Sequence, residues 1–317
     1  MGNQSFFKVA GAVPVNDLAQ IKAMPGAFSG AVYNGSWDLL NPAAGVFDFS
    51  DIDGFIAEAT SLGLKGIELR VCAGVHAPAW VMQTAGTVIE PDKDHGTLTG
   101  TTLTFAKFWT PAYDAALQAF QAALAATYDS NPMVRTVWAM TCTSWTGENG
   151  DIGGVTADRQ ALSAAGATDT LIQACLSGVF SDMSAWKVTP IGLTINPLVS
   201  VDNPTATGAD ENTFPLALAK QAVESWRARC VLANMGLSST ATGDTATIVK
   251  TLPTLGAYTV CQWVPPATAD ANTEALFAAS LGYNEVQAWL DKSLGGVSVY
   301  TATEVAAWTA ALPKWAG

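Results

Sequence analysis

The chain has 317 residues, of which 13% are charged and 49% hydrophobic, so its positive mean hydropathy reflects a large interior. No uninterrupted apolar run reaches the ~20 residues that a membrane span needs. With 15 Lys and Arg against 27 Asp and Glu, the formal charge is −12. That sign repels phosphate backbones and anionic lipid, so neither nucleic acid nor a membrane surface is expected as a partner. Only 2 His stand beside 11 Trp, too few for a multi-histidine metal centre, and no metal or other cofactor is expected. Aromatic rings and carboxylates are the chemistry that remains.

Strand-like runs and helix-like segments alternate along the chain. The strand candidates are Lys8 to Val13, Ser29 to Tyr33, Gly66 to Cys72, Val134 to Thr141, Val188 to Ile195, Arg229 to Ala233, Tyr258 to Trp263 and Asn284 to Ala288. Helical spacing marks Phe49 to Leu62, with Ser50 as N-cap, and the Ala-rich Pro111 to Tyr128. It returns at Thr168 to Ala185, Pro215 to Arg227, Thr245 to Leu252, Asn272 to Leu281 and Thr303 to Leu312. No low-complexity linker divides the chain, so residues 1–317 read as one domain.

Alternating β and α at this density predicts an α/β protein with a parallel sheet. Eight strands in this length favour a closed (β/α)8 TIM barrel. A doubly wound sheet is the alternative fold, and no Gly-x-Gly-x-x-Gly follows the first strand to support it. Cys72, Cys142, Cys175, Cys230 and Cys261 are odd in number, spread out and without a C-x-x-C pair; they read as buried thiols. The N-terminus lacks the basic and apolar regions of a secretory signal. The acidic, Ala- and Thr-rich composition predicts an extracellular or virion-associated setting.

In a barrel the functional residues lie just past the C-terminal ends of the strands, where the loops converge. Those positions hold Trp37 and Asp38, His76 and Trp80, Trp145 and Glu148, Asn196, Asn234, Gln262 and Trp263, and Gln287 and Trp289. Indole faces stack on sugar C–H surfaces, and amides and carboxylates pair with hydroxyls, so the set suits a carbohydrate. Glu90, Asp92, Asp94 and His95 cluster in a Gly/Thr-rich hairpin, where alternating charge is usually solvated.

Trp37 through Pro42, and Gly45-Val46-Phe47-Asp48-Phe49-Ser50, form the pattern W-x-x-x-x-P-x-x-G-x-(F/Y)-D-(F/W)-S. Gly63 through Arg70, Gly74-Val75-His76-Ala77-Pro78-Ala79-Trp80 and Tyr128 through Val134 continue it. Together they resemble β-galactosidase-like retaining glycoside hydrolases of the large (β/α)8-barrel clan, over roughly the first half of the chain. The resemblance implies a general acid/base at the end of the fourth strand, where the first carboxylate is Glu148, preceded by Gly147 rather than the clan's Asn. It implies a nucleophile at the end of the seventh strand, where this chain has Gln262.

Strand parity makes Glu285 the expected second carboxylate, with Asp38, Glu68, Asp151 and Asp291 as further candidates. Glu68 and Arg70 share parity and are expected to pair inside the barrel. The leading expectation is therefore a glycosidase cleaving a poly- or oligosaccharide, with a cell-wall glycan as one candidate substrate. The alternative is a non-catalytic carbohydrate-binding protein on a degenerate barrel, because amides at 262 and 287 stand where an enzyme would keep carboxylates. A lyase or isomerase would call for a Lys, a metal cluster or a phosphate loop, none of which the sequence displays.

Overall fold

The computed structural model describes residues 18–91, 102–144, 148–152, 155–205, 212–262, 271–287 and 302–311. Its parallel sheet contains β1 (Ala31–Ser36), β2 (Ile67–Cys72), β5 (Val134–Ala139), β6 (Ile191–Thr194), β7 (Cys230–Asn234), β8 (Tyr258–Gln262) and β9 (Glu285–Gln287). These run in the order β1-β2-β5-β6-β7-β8-β9, while β3 (Thr87–Pro91) and β4 (Thr102–Ala106) pair antiparallel as a separate hairpin. Every sheet strand lies beside the one that follows it, with no reversal of order. A doubly wound sheet needs such a reversal, so that alternative is excluded for the described strands. The expected first strand, Lys8 to Val13, lies outside the described residues.

The sheet is curled into a partial barrel. From β2 to β9 it takes five strand spacings, about 24 Å if the sheet were flat. Yet Arg70 on β2 donates from Nη2 to Gln287 Oε1 on β9 over 2.6 Å. Side chains can meet at that distance only if the strands wrap around a common interior. Period-2 alternation then sorts the residues. Leu69, Val71, Val137, Leu193, Leu232, Cys261 and Val286 point outward into the main core beneath the helices. Trp138, Val231, Ala233, Met235 and Val260 form a second, smaller cluster inside the curl.

Beside three short helices, α1 (Ala19–Ala23), α2 (Trp37–Leu40) and α4 (Ala79–Ala85), the helical layer follows the predicted periodicity. α3 (Ser50–Ser61) buries Ile52, Phe55 and Ala59. Its cap differs from expectation: Ser50 is the first helical residue, and the Asp48 carboxylate accepts its N–H at 3.0 Å and its hydroxyl at 2.6 Å. α5 (Pro111–Tyr128) has the expected bounds, with Pro111 in the first turn and the Thr110 hydroxyl accepting from Tyr113 N. α7 (Asp169–Asp182) is capped by the Thr168 hydroxyl. α8 (Thr213–Trp226), α9 (Gly243–Thr251), α10 (Ala271–Leu281) and α11 (Ala302–Ala311) complete the expected series. The amphipathic α6 (Thr156–Ala164), which buries Asp158, Arg159 and Leu162, lies where no helix is predicted. Among the described residues no helix is long and apolar enough to cross a membrane.

The cysteine reading needs correction. Cys142, just past β5, is disulfide-bonded to Cys175 on α7. Sequence spacing could not show this, because only the packing of α7 brings position 175 beside the strand end. Cys72, Cys230 and Cys261 are buried free thiols, as expected.

Between α5 and α7 a pair of carboxyls forms a titratable clamp. Gln118 Nε2 donates to Asp114 Oδ2 at 3.1 Å and to Asp182 Oδ1 at 3.2 Å. Burial, and then the adjoining Asp114 carboxyl, push Asp182 up to about 8. A carboxyl whose folded pKa is raised contributes stability that is complete below its unfolded pKa and disappears as pH rises through the folded value. We therefore expect the Tm of the wild type to fall between about pH 4 and pH 8 by a few degrees more than that of Asp182→Asn. Thermal melts of both proteins across that range measure the difference.

Candidate active site

The inside of the curl holds a polar core built on Arg70, which is fully buried. Its Nη2 donates to Gln287 Oε1, and its Nη1 lies 3.4 Å from Gln262 Oε1. Its guanidinium carbon is 5.2 Å from the centre of the Trp138 ring, within cation–π range. The Trp138 indole lies flat on β6 because residue 192 is glycine: a Cβ there would come within 2.5 Å of the ring. That position lets Trp138 Nε1 donate to Glu68 Oε2 at 2.5 Å.

Gln287 joins the two charged residues that parity pairs. Its Nε2 donates to Glu68 Oε2 at 2.7 Å while its Oε1 accepts from Arg70. Glu68 and Arg70 thus belong to one network, bridged by an amide, and an ionised carboxylate at 287 could not donate to Glu68. Burial, then the charge and hydrogen bond of Glu285, hold the Glu68 carboxyl well above the usual range. Burial pushes Arg70 down from its usual value, while the Glu148 and Glu68 carboxylates act in the opposite direction.

Glu148 lies at the C-terminal end of the sheet, in the loop past β5, and is partly exposed. The following residue anchors it. Asn149 is buried; its Oδ1 accepts from Thr141 Oγ1 at 2.6 Å, and its N–H donates to Thr194 Oγ1 at 2.6 Å. Asn196, just past β6, donates to Glu148 Oε2 at 3.3 Å, and Asn234 at the end of β7 donates to Ile195 O at 2.9 Å and to Asn196 Oδ1 at 3.4 Å. Desolvation, then the charge of Asp151, raise Glu148 to about 7, against the opposing pull of Arg70 and the Asn196 hydrogen bond. A carboxyl balanced at that value is half protonated at neutral pH and can serve as a general acid.

Glu285 occupies a different place. It is the first residue of β9, the N-terminal end of the strand, where Tyr258 donates to its Oε2 at 3.2 Å and Glu68 adjoins it. Parity correctly turns it inward, but its height along the strand puts it on the floor, opposite the rim that carries Glu148. Its expected role as a second catalytic carboxylate is therefore not supported.

The remaining candidates divide. Asp38 is partly exposed at the rim and accepts a hydrogen bond from Ser36, whose hydroxyl is 2.8 Å from Nδ1 of the buried His76. Trp80 is partly buried and donates to Asn41 O at 3.1 Å. Gln262 and Gln287 are buried within the Arg70 network. Trp145, Trp263 and Trp289 lie outside the described residues, as do Asp291 and the Asp92, Asp94 and His95 positions of the hairpin.

Trp37 is a correction. It has no exposed surface, packs edge-on against Tyr113 with ring centroids 5.4 Å apart, and donates to Asn41 Oδ1 at 3.3 Å. The chain turns into a short helix at Trp37 directly after β1, which swings the ring under α5 and not over the mouth. Sequence reasoning gave no role to Trp138, Asn149, Thr194 or Met235. A glycine facing a strand tryptophan was the only signal available for Trp138, and register is needed to see it.

Residues 19–141 match the model of the β-galactosidases of glycoside hydrolase family 42. The β-galactosidase from Rahnella sp. R3 superposes with a TM-score of 0.51 at 16% identity, covering 86% of this chain and 47% of that one. The chain thus spans about half the length of that protein. Endo-glycoceramidase II from Rhodococcus sp. gives a TM-score of 0.45 at 15% identity, over 91% of this chain and 72% of that one. No curated protein matches. The family match falls on the first part of the chain, and the superposition on the Rahnella enzyme shows a likeness of fold.

If Trp37 is a core residue, Trp37→Ala should cost about 3–5 kcal/mol of stability, as truncating a buried tryptophan usually does. Denaturant unfolding measures that loss; a ring that only stacked on ligand would leave the midpoint unchanged.

Proposed function

We propose that this chain is a glycoside hydrolase, a single domain on a closed (β/α)8 barrel, that cleaves a poly- or oligosaccharide without a cofactor. The observation that carries the reading is Glu148: a carboxyl past β5, raised to about 7 and held by Asn196. In its protonated form it donates to the leaving glycosidic oxygen; as the carboxylate it then draws a proton from water. Asn196 donates to one of the Glu148 oxygens and so helps to orient the group.

The resemblance to retaining enzymes calls for a second carboxylate about 5–5.5 Å away. Asp38 and Asp151, both at the rim, are the positions we assign to that search in place of Glu285. Trp80, Trp145, Trp263 and Trp289 serve as sugar platforms, with Asn234 and His76 supporting the loops beneath. The Cys142–Cys175 disulfide supports an oxidising setting, extracellular or virion-associated, with a cell-wall glycan as candidate substrate.

A second reading is favoured by one observation. Gln262 ends β8, where a retaining enzyme of this clan would carry its nucleophile, and its amide oxygen faces Arg70. A carbohydrate-binding protein without hydrolytic activity would tolerate that amide.

Product analysis on galactosides and cell-wall polysaccharides separates the two. Hydrolysis with a basic limb near pH 7, reduced about 10²-fold or more in Glu148→Gln at nearly unchanged Tm, supports the enzyme. Saturable sugar binding with no product, unaffected by Glu148→Gln, selects the binding protein.

A further inference from the structure

The loop that carries Glu148 is fastened at its root. Gly150 N donates to Cys142 O at 2.8 Å, Cys142 N donates to Asn149 Oδ1 at 3.3 Å, and Ser144 N donates to Asp151 O at 2.8 Å. These bonds fold residues 142–144 and 148–151 back on one another, and Cys142 belongs to both ends of the arrangement. The same cysteine is covalently tied to Cys175 on α7. The next residue, Leu176, stands near Gly150, which takes φ +83°; a Cβ built there would lie 3.6 Å from the leucine Cδ2. Helix α7 therefore holds the root of the acid loop by a disulfide, with Leu176 beside it.

We propose that the Cys142–Cys175 bridge is a positioning element for Glu148 and makes the site redox-sensitive. This rests on the assignment of Glu148 as the acid. The bridge fixes Cys142, Cys142 holds Asn149 and Gly150 through two hydrogen bonds, and Glu148 is the residue directly before them. An external dithiol opens the bridge by thiol–disulfide exchange. The Sγ–Sγ bond breaks, two electrons and two protons pass from the dithiol to Cys142 and Cys175, and the dithiol closes to its own disulfide. Freed from α7, the loop exposes Glu148 further to water, and its pKa drops from its raised position toward that of an ordinary carboxyl.

The test compares the full chain oxidised, reduced with dithiothreitol and as C142S/C175S, by hydrogen exchange and by kinetics on the best glycoside found. The expected result is at least tenfold faster exchange of the Ser144 and Gly150 amides in both opened forms, with β5 unchanged. With it, kcat falls about tenfold at constant KM, and the basic limb moves to lower pH. Reoxidation restores the wild type but not the double variant. Unchanged loop exchange overturns the proposal, and so does exchange that rises equally through β5 with an unmoved pH profile, because the bridge would then be only a general staple. If the oxidised protein hydrolyses nothing, the catalytic assignment fails, while loop exchange still decides whether the bridge holds the loop.

Discussion

A guanidinium sealed inside a curled sheet must find hydrogen-bond acceptors there, since a buried cation left unmatched costs several kcal/mol. Arg70 finds them in Gln262 and Gln287, with the face of Trp138 alongside. Much else follows from that requirement. Gln287 has to be an amide because it gives a hydrogen to Glu68 and takes one from Arg70 at the same time. Glycine has to stand at 192 so that Trp138 can lie flat and reach Glu68. β2, and the neighbouring β8 and β9 at the far side of the sheet, are drawn to a common axis by one side chain.

The floor and the rim of this interior are electrostatically different places. On the floor, Glu68 and Glu285 adjoin, and burial keeps Glu68 protonated far above its ordinary range. At the rim, Glu148 is raised by desolvation and by Asp151, yet Arg70 and Asn196 oppose the rise, and the balance falls at about 7. The cation that organises the interior thus also moderates the candidate acid. Without the opposition of Arg70 and Asn196 the carboxyl would rise further and release its proton more reluctantly in the second half of a hydrolysis.

Much of this architecture was legible in the sequence. Seven of the expected strands occur where alternation and turn residues place them, because fully buried parallel strands leave a plain apolar signature. Pro111 to Tyr128 was readable to the residue, since Pro at the first turn and an Ala-rich periodic stretch agree. The inward parity of Glu68, Arg70, Glu285 and Gln287 was also readable. What parity cannot give is height along the strand, and this is why Glu285, expected as the second carboxylate, stands on the floor. Trp37 misled for a related reason: a position just past a strand is shared by rings that line a mouth and rings that turn back under a helix. The Cys142–Cys175 bond was invisible because it depends on helix packing between segments 33 residues apart.

The central claim is that Glu148 is a carboxyl poised to exchange a proton near neutrality. A ¹³C titration of side-chain carboxyls, with Glu148→Gln to assign the resonance, reads this directly and needs no substrate. The account predicts an inflection at about 7 for Glu148. A titration at the ordinary glutamate value of about 4.3 would contradict it and remove the candidate acid from the site.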